Sequence, residues 1–152
     1  MANIIHRVGI KSPPKKVYAA VSTITGLAGW WTDSVEGDDK TGGKITFRFL
    51  ADDGNEIGKM VMEVKQLTPD EHVRWLCVDG PPEWIGTEIT FDMSVQDNQT
   101  ILIFGHRNWR EEVEFMAHCS MKWAVFLLSL RQYVETGKGR PSPVDLKIDN
   151  WN

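Results

Sequence analysis

One stretch limits the fold of this chain more than any other: Glu111 to Glu135, closed by Thr136-Gly137-Lys138-Gly139-Arg140-Pro141. It reads as a single long helix of unusual greasiness. At 3.6 residues per turn, Phe115, Met116, Cys119, Trp123, Phe126, Leu127, Leu130, Tyr133 and Val134 share a face, and Val113, Ala117, Met121, Ala124 and Leu128 widen it. Glu114, His118, Lys122, Ser129 and Gln132 are left to face water. An apolar sector of more than half the circumference is too wide for a flat sheet, so a curved one should grip it. At ~37 Å the helix would cross a whole small domain. Gly137 terminates it and Pro141 blocks its renewal.

The residues before it alternate like strands. Asn3 to Lys11 sets Ile4, His6, Val8 and Ile10 against Ile5, Arg7 and Gly9. Ser12 is a good N-cap and Pro13 suits the first helical position, which predicts a short helix to about Ser22 with Val17, Ala20 and Val21 inward. A second short helix near Thr25 carries Leu27 and Trp30, weakened by Gly26 and Gly29. From Thr32 the period moves toward two. Ile45, Phe47 and Phe49, then Met60, Met62 and Val64, then Val73, Trp75 and Cys77, then Ile89, Phe91, Met93 and Val95 form inward sets. Asp52-Asp53-Gly54-Asn55, Thr68-Pro69-Asp70-Glu71, Asp79-Gly80-Pro81-Pro82 and Gln96-Asp97-Asn98-Gln99 turn the chain between them. Thr100 to Arg107 is the last strand. The fold class is therefore α+β: an antiparallel sheet of six or seven strands, two short helices after the first strand, and one long C-terminal helix.

At 152 residues the chain suits one domain, residues 1–152, with a core over about 4–141 and a polar tail over 142–152 that Leu146, Ile148 and Trp151 could dock onto the body. A net charge of -4 and the lack of Lys/Arg clusters argue against a nucleic-acid partner. Cys77 and Cys119 fall in apolar patterns and read as buried thiols of a reduced, cytoplasmic protein. The longest apolar run, Trp123 to Leu128, is far short of the ~20 residues that span a bilayer. The start of the chain lacks a secretory core and cleavage site.

Three segments, in order, carry a resemblance: Gly26-Leu27-Ala28-Gly29-Trp30-Trp31-Thr32, His106-Arg107-Asn108-Trp109, and Trp123 through Leu127-Leu128-Ser129-Leu130 to Glu135-Thr136-Gly137-Lys138-Gly139. From Ile4 to Pro141 the chain resembles the SRPBCC superfamily of START-like, helix-grip domains. Within it, the chain is similar to the AHSA-type branch, that of the C-terminal domain of the heat-shock chaperone ATPase activator. The resemblance implies an incomplete antiparallel sheet wrapped around the C-terminal helix, with a cavity between them that in family members often holds an apolar small molecule. Superfamily members range from lipid carriers and cyclases to oxygenase subunits and co-chaperones, so the fold does not choose among functions. Oxygenase chemistry would need metal ligands, and His6, His72, His106 and His118 have no ligand spacing. No metal or cofactor is expected.

The candidate ligand-binding residues are Trp31, Phe47, Phe49, Trp75, Trp84, Phe91, Phe104 and Trp123, joined by His106 and, from the helix, Met116, Cys119 and Leu127. Core filling explains the same rings. Whether they leave the ~300 Å³ that a drug-sized ligand needs is open at this level. His106 shares the inward phase of Leu102 and Phe104, which would place it near the cavity mouth. There it could orient a ligand carbonyl or move a proton; otherwise it is a histidine bonded to backbone. Glu63, Glu88 and Asp92, with Arg48 and Arg74, read as solvated cross-strand charges. Glu36, Asp38 and Asp39 read as a loop. Cys119 reads as a core thiol.

Binding of an apolar or aromatic small molecule between sheet and helix is the leading expectation, without a catalytic motif. A co-chaperone-like module stimulating a chaperone ATPase comes second, because the family's activator also uses a separate N-terminal domain for which this chain has no room. A cyclase- or hydrolase-like enzyme using His106 with a carboxylate or water comes third. Exposed sheet edges or a Trp-rich surface would support a homodimer.

Overall fold

In the computed structural model, which describes residues 1–152, the chain runs β1 (Ala2–Ile10), α1 (Pro14–Ser22), α2 (Ile24–Trp30), β2 (Ser34–Gly37), β3 (Lys44–Leu50), β4 (Glu56–Thr68), β5 (His72–Asp79), β6 (Glu88–Gln96), β7 (Gln99–Trp109) and α3 (Glu114–Thr136). The seven strands form one sheet in the order β1-β7-β6-β5-β4-β3-β2, with antiparallel neighbours throughout. Short turns make β2 to β7 a meander, and β1 returns to close against β7. Irregular register on both sides of Met62 and Val64 bends the long β4, because a bulge sharpens local twist. The sheet thereby curves around α3. A single contiguous core draws on every element except the short edge strand β2.

The alternation of the strands is realised closely. Ile45, Phe47, Met62, Val64, Val73, Trp75, Cys77, Ile89 and Phe91 are all buried toward α3. Asp97 and Asn98 both take positive φ in the β6–β7 turn, which side chains with local hydrogen-bonding capacity tolerate. Gly26 has a packing role: a Cβ there would lie 2.6 Å from Ala20 Cα, so glycine lets α2 abut α1. Gly137 ends α3 in the left-handed region at φ 87°, its N–H donating to Tyr133 O.

Several expectations are corrected. α3 begins at Glu114, because Glu111 to Val113 stay extended or irregular and Glu114 supplies the acidic first turn that favours a helix N-terminus. Ser12 does not cap α1; Pro13 takes that position, Pro14 opens the helix, and the Ser12 carbonyl accepts from Thr100 Oγ1. The second helix is capped by Thr23, whose hydroxyl accepts from Gly26 N. Glu36 lies in β2 rather than a loop and pairs with Arg48. Asp39 accepts from Ile24 N. Val95 is exposed at the end of β6, beside the Asp97–Asn98 turn. Thr90, on the outer face, is buried beneath Arg107, whose Nε donates to its hydroxyl.

The larger corrections concern α3. Lys122 and Ser129 are buried, whereas Met121 and Leu128 are exposed. A tail that crosses one side of the helix causes the exchange. Ser142 pairs with the backbone of Trp31 and Asp33, and the Ser129 hydroxyl donates to Trp30 O while accepting from Arg140 N. No helix is long and apolar enough to cross a membrane.

Candidate functional site

Trp31, the residue after α2, stands where sheet and helix converge. Its ring lies 4.3 Å from Phe47, 4.9 Å from Trp123 and 5.6 Å from Phe49, centroid to centroid. Trp84, from the β5–β6 connection, stacks at 6.0 Å on Trp123. Contacts among these rings do not fill the space beside the first half of α3. They leave a cavity of about 190 Å³ between Trp31, Phe49 and Met60 on one side and Trp84, Trp123 and Phe126 on the other. That is short of the ~300 Å³ typical for drug-sized ligands, yet larger than the ~150 Å³ that suffices for benzene.

Five of the twelve predicted site residues line this space: Trp31, Phe49, Trp84, Cys119 and Trp123. Phe47, Trp75, Phe91 and Phe104 are fully buried behind them and support the wall through ring contacts. Leu127 is buried, Met116 is half-buried, and neither reaches the cavity. Met60, Phe115 and Phe126, inward by their periodicity but absent from the predicted set, do line it. So do Ile57, Pro81, His118 and Lys122, and so do Trp151 and Asn152 from the tail. The signal for Trp151 was its apolar ring in a polar tail.

His106 points inward as alternation predicts, but Trp84 and Trp123 separate it from the cavity, and it is wholly buried rather than at the mouth. Trp123 Nε1 can only donate, so Nδ1 of His106 accepts it at 3.1 Å. Nε2 must then carry the proton and donates to Thr87 Oγ1 at 2.8 Å, while that hydroxyl donates to Trp84 O. Burial lowers the His106 pKa to about 3, so the ring is neutral. Its Nδ1 fixes the Trp123 indole directly, and its Nε2, through Thr87, ties the backbone of Trp84, so both cavity-wall residues are held from behind.

The polar edge of the cavity belongs to α3 and the tail. Lys122 Nζ reaches Asp145, the Leu146 carbonyl and Asn152 Oδ1, and a second lysine, Lys147, also pairs with Asp145. Burial pushes the Asp145 carboxyl up, but the hydrogen bonds and charges of Lys122 and Lys147 outweigh it and hold it below its usual value. All three Lys122 donors are engaged, so the cavity presents no free charge there. One turn earlier, His118 Nδ1 meets Asp149 at 2.7 Å, and the Trp151 ring lies edge-on to His118 at 5.5 Å.

Outside the cavity, Asp92 joins His72 and Arg74 on the outer face, and Arg48 links Glu36 and Glu56. These are partly exposed pairs, and such pairs contribute little. Burial pushes the Cys77 thiol up to about 11 and the Cys119 thiol to about 12, which keeps both protonated and unreactive at neutral pH. No three His, Cys, Asp or Glu side chains converge as a metal site.

A curved antiparallel sheet closed on a C-terminal helix, with an aromatic cavity between them, defines a helix-grip protein. The family model described as Activator of Hsp90 ATPase homolog 1-like protein matches residues 11–135, and the chain belongs to that family. The Aha1 dimer of Colwellia psychrerythraea, solved in solution, is 44% identical, with a TM-score of 0.81 over 91% of this chain and 100% of that one. Two more distant structures share the fold. A protein of Staphylococcus saprophyticus is 17% identical, with a TM-score of 0.74 over 93% of this chain and 98% of its own. An AHSA1-like protein of Aeromonas hydrophila is 16% identical, with a TM-score of 0.71 over 90% and 94%. No curated protein matches. The architecture is that of ligand-binding and Aha1-like domains in general.

Proposed function

We propose that the protein binds a small, uncharged, apolar or aromatic molecule between the sheet and the first half of α3. The observation that carries this reading is an aromatic-walled cavity of about 190 Å³ whose one lysine is already neutralised. Burial of apolar surface supplies the affinity, and volume limits the ligand to about one ring or a short branched chain. The tail, through Trp151 and Asn152, forms part of the wall. Titration with indole and with phenol, followed by calorimetry, tests the reading: saturable one-to-one binding that Trp123→Ala weakens is expected. A flat response to both ligands rejects it.

A second reading is favoured by the 44% identical Aha1 dimer and by the family's description. The protein would then act as a homodimer on an Hsp90-type chaperone and raise its ATPase rate. Chaperone turnover measured at saturating protein checks this, together with the mass in solution. Unchanged turnover ends the chaperone role, and a monomer at high concentration ends the dimer.

A further inference from the structure

We infer that the aromatic cavity is one half of a longer site, and that Trp151 is the partition between its halves. The inference rests on the binding reading above. A second depression of about 430 Å³ lies along the outer side of α3, with Ala117, Met121 and Ile148 as its apolar part and Glu114, Asp149 and Asn150 as its polar edge. Two residues line both spaces: His118 and Trp151. His118 belongs to the helix, and Asp149 fixes its ring. Trp151 belongs to the tail and is half exposed at 49%; ring contacts with His118 and Phe115 hold its indole, which makes no hydrogen bond to the protein.

The tail is anchored upstream of this ring. Ser142 is tied to Trp31 and Asp33 by backbone hydrogen bonds, and Asp145 is buried against Lys122. Rotation of the Trp151 side chain therefore opens the partition while the anchor stays in place. The merged space exceeds the ~300 Å³ threshold for ordinary ligands, which the cavity alone does not reach. Its chemistry suits an uncharged, elongated amphipathic molecule, with an apolar ring in the cavity and a chain along Ala117 and Met121. Exposed methionine and a movable indole are surfaces that adapt to such chains.

Phenol and 4-hexylphenol test the partition by stopped-flow binding to the wild-type chain, Trp151→Phe and Trp151→Ala. Both probes should bind the wild type. 4-Hexylphenol should associate about ten-fold faster with Trp151→Ala, with Trp151→Phe between, because the gating rotation is no longer required. The ratio of the 4-hexylphenol rate to the phenol rate should therefore rise from the wild type through Trp151→Phe to Trp151→Ala, because the shorter probe does not have to cross the partition. If 4-hexylphenol associates equally with all three chains, or is excluded from all while phenol binds, the partition is overturned and the cavity stands. If phenol itself fails to bind the wild type, the cavity reading falls and the partition with it.

Discussion

The two halves of α3 meet the rest of the molecule differently. Toward its C-terminal end, Leu127 and Leu130 are sealed in the same core as Val17, Val21, Leu27 and Trp30, with no accessible surface at Leu130. Toward its N-terminal end, Phe115 and Met116 are half-buried, and the aromatic rings there stop short of closing. One half is packed as a domain interior; the other is roofed by a tail and left partly vacant. Stability therefore concentrates where the short helices clasp α3, and the open space of the proposed binding site lies where they do not.

Substitutions along one helix can break that contrast. The largest effect is expected at Lys122, although it lies over the looser half, because removing it leaves Asp145 buried with only the more exposed Lys147 as a partner. Lys122→Met should lower stability by about 3–5 kcal/mol in urea unfolding, and adding Asp145→Asn should recover most of it. Leu130→Ala should follow at about 2–4 kcal/mol, the usual cost of a cavity in a close-packed interior. Leu128→Gln, two residues away but half exposed, should stay within ~0.5 kcal/mol. Equal losses at Leu130 and Leu128 would show that the helix is not gripped on one side.

His106 sharpens the contrast through pH. Its folded pKa is depressed, so its stabilising contribution is present above the unfolded value of 6.5 and is lost as pH falls toward about 3, where the folded ring finally protonates. The wild-type chain should lose stability over that window more steeply than His106→Gln, measured by urea unfolding at stepped pH. Identical slopes would mean that the imidazole is not sealed behind Trp84 and Trp123.

What could be read from residue order alone was whatever repeats locally. Alternation at 45/47/49 and 73/75/77 is a property of neighbours two apart, and the Gly137 stop is a property of one residue, so strands, turns and the gripped helix were legible. The four-residue β2 was not, because Glu36, Asp38 and Asp39 look like a solvated loop until Arg48 lies beside them. Lys122 was misplaced for a different reason. A helical wheel sees residues three or four apart, whereas the partner of Lys122 is Asp145, on a tail whose path no local pattern sets. The same path brings Trp151 and Asn152 to the cavity. The tail's share of the site's rim was therefore invisible until the fold placed it, while the aromatic wall was visible as a set of rings without an order.

Xenon is the most direct probe of the central claim, because it enters apolar vacancies and ignores filled interiors. Crystals pressurised with xenon should show an atom among Trp31, Trp84, Trp123 and Phe126, and none between Leu130 and Trp30. No xenon at the first position, or xenon held equally between Leu130 and Trp30, would contradict the account.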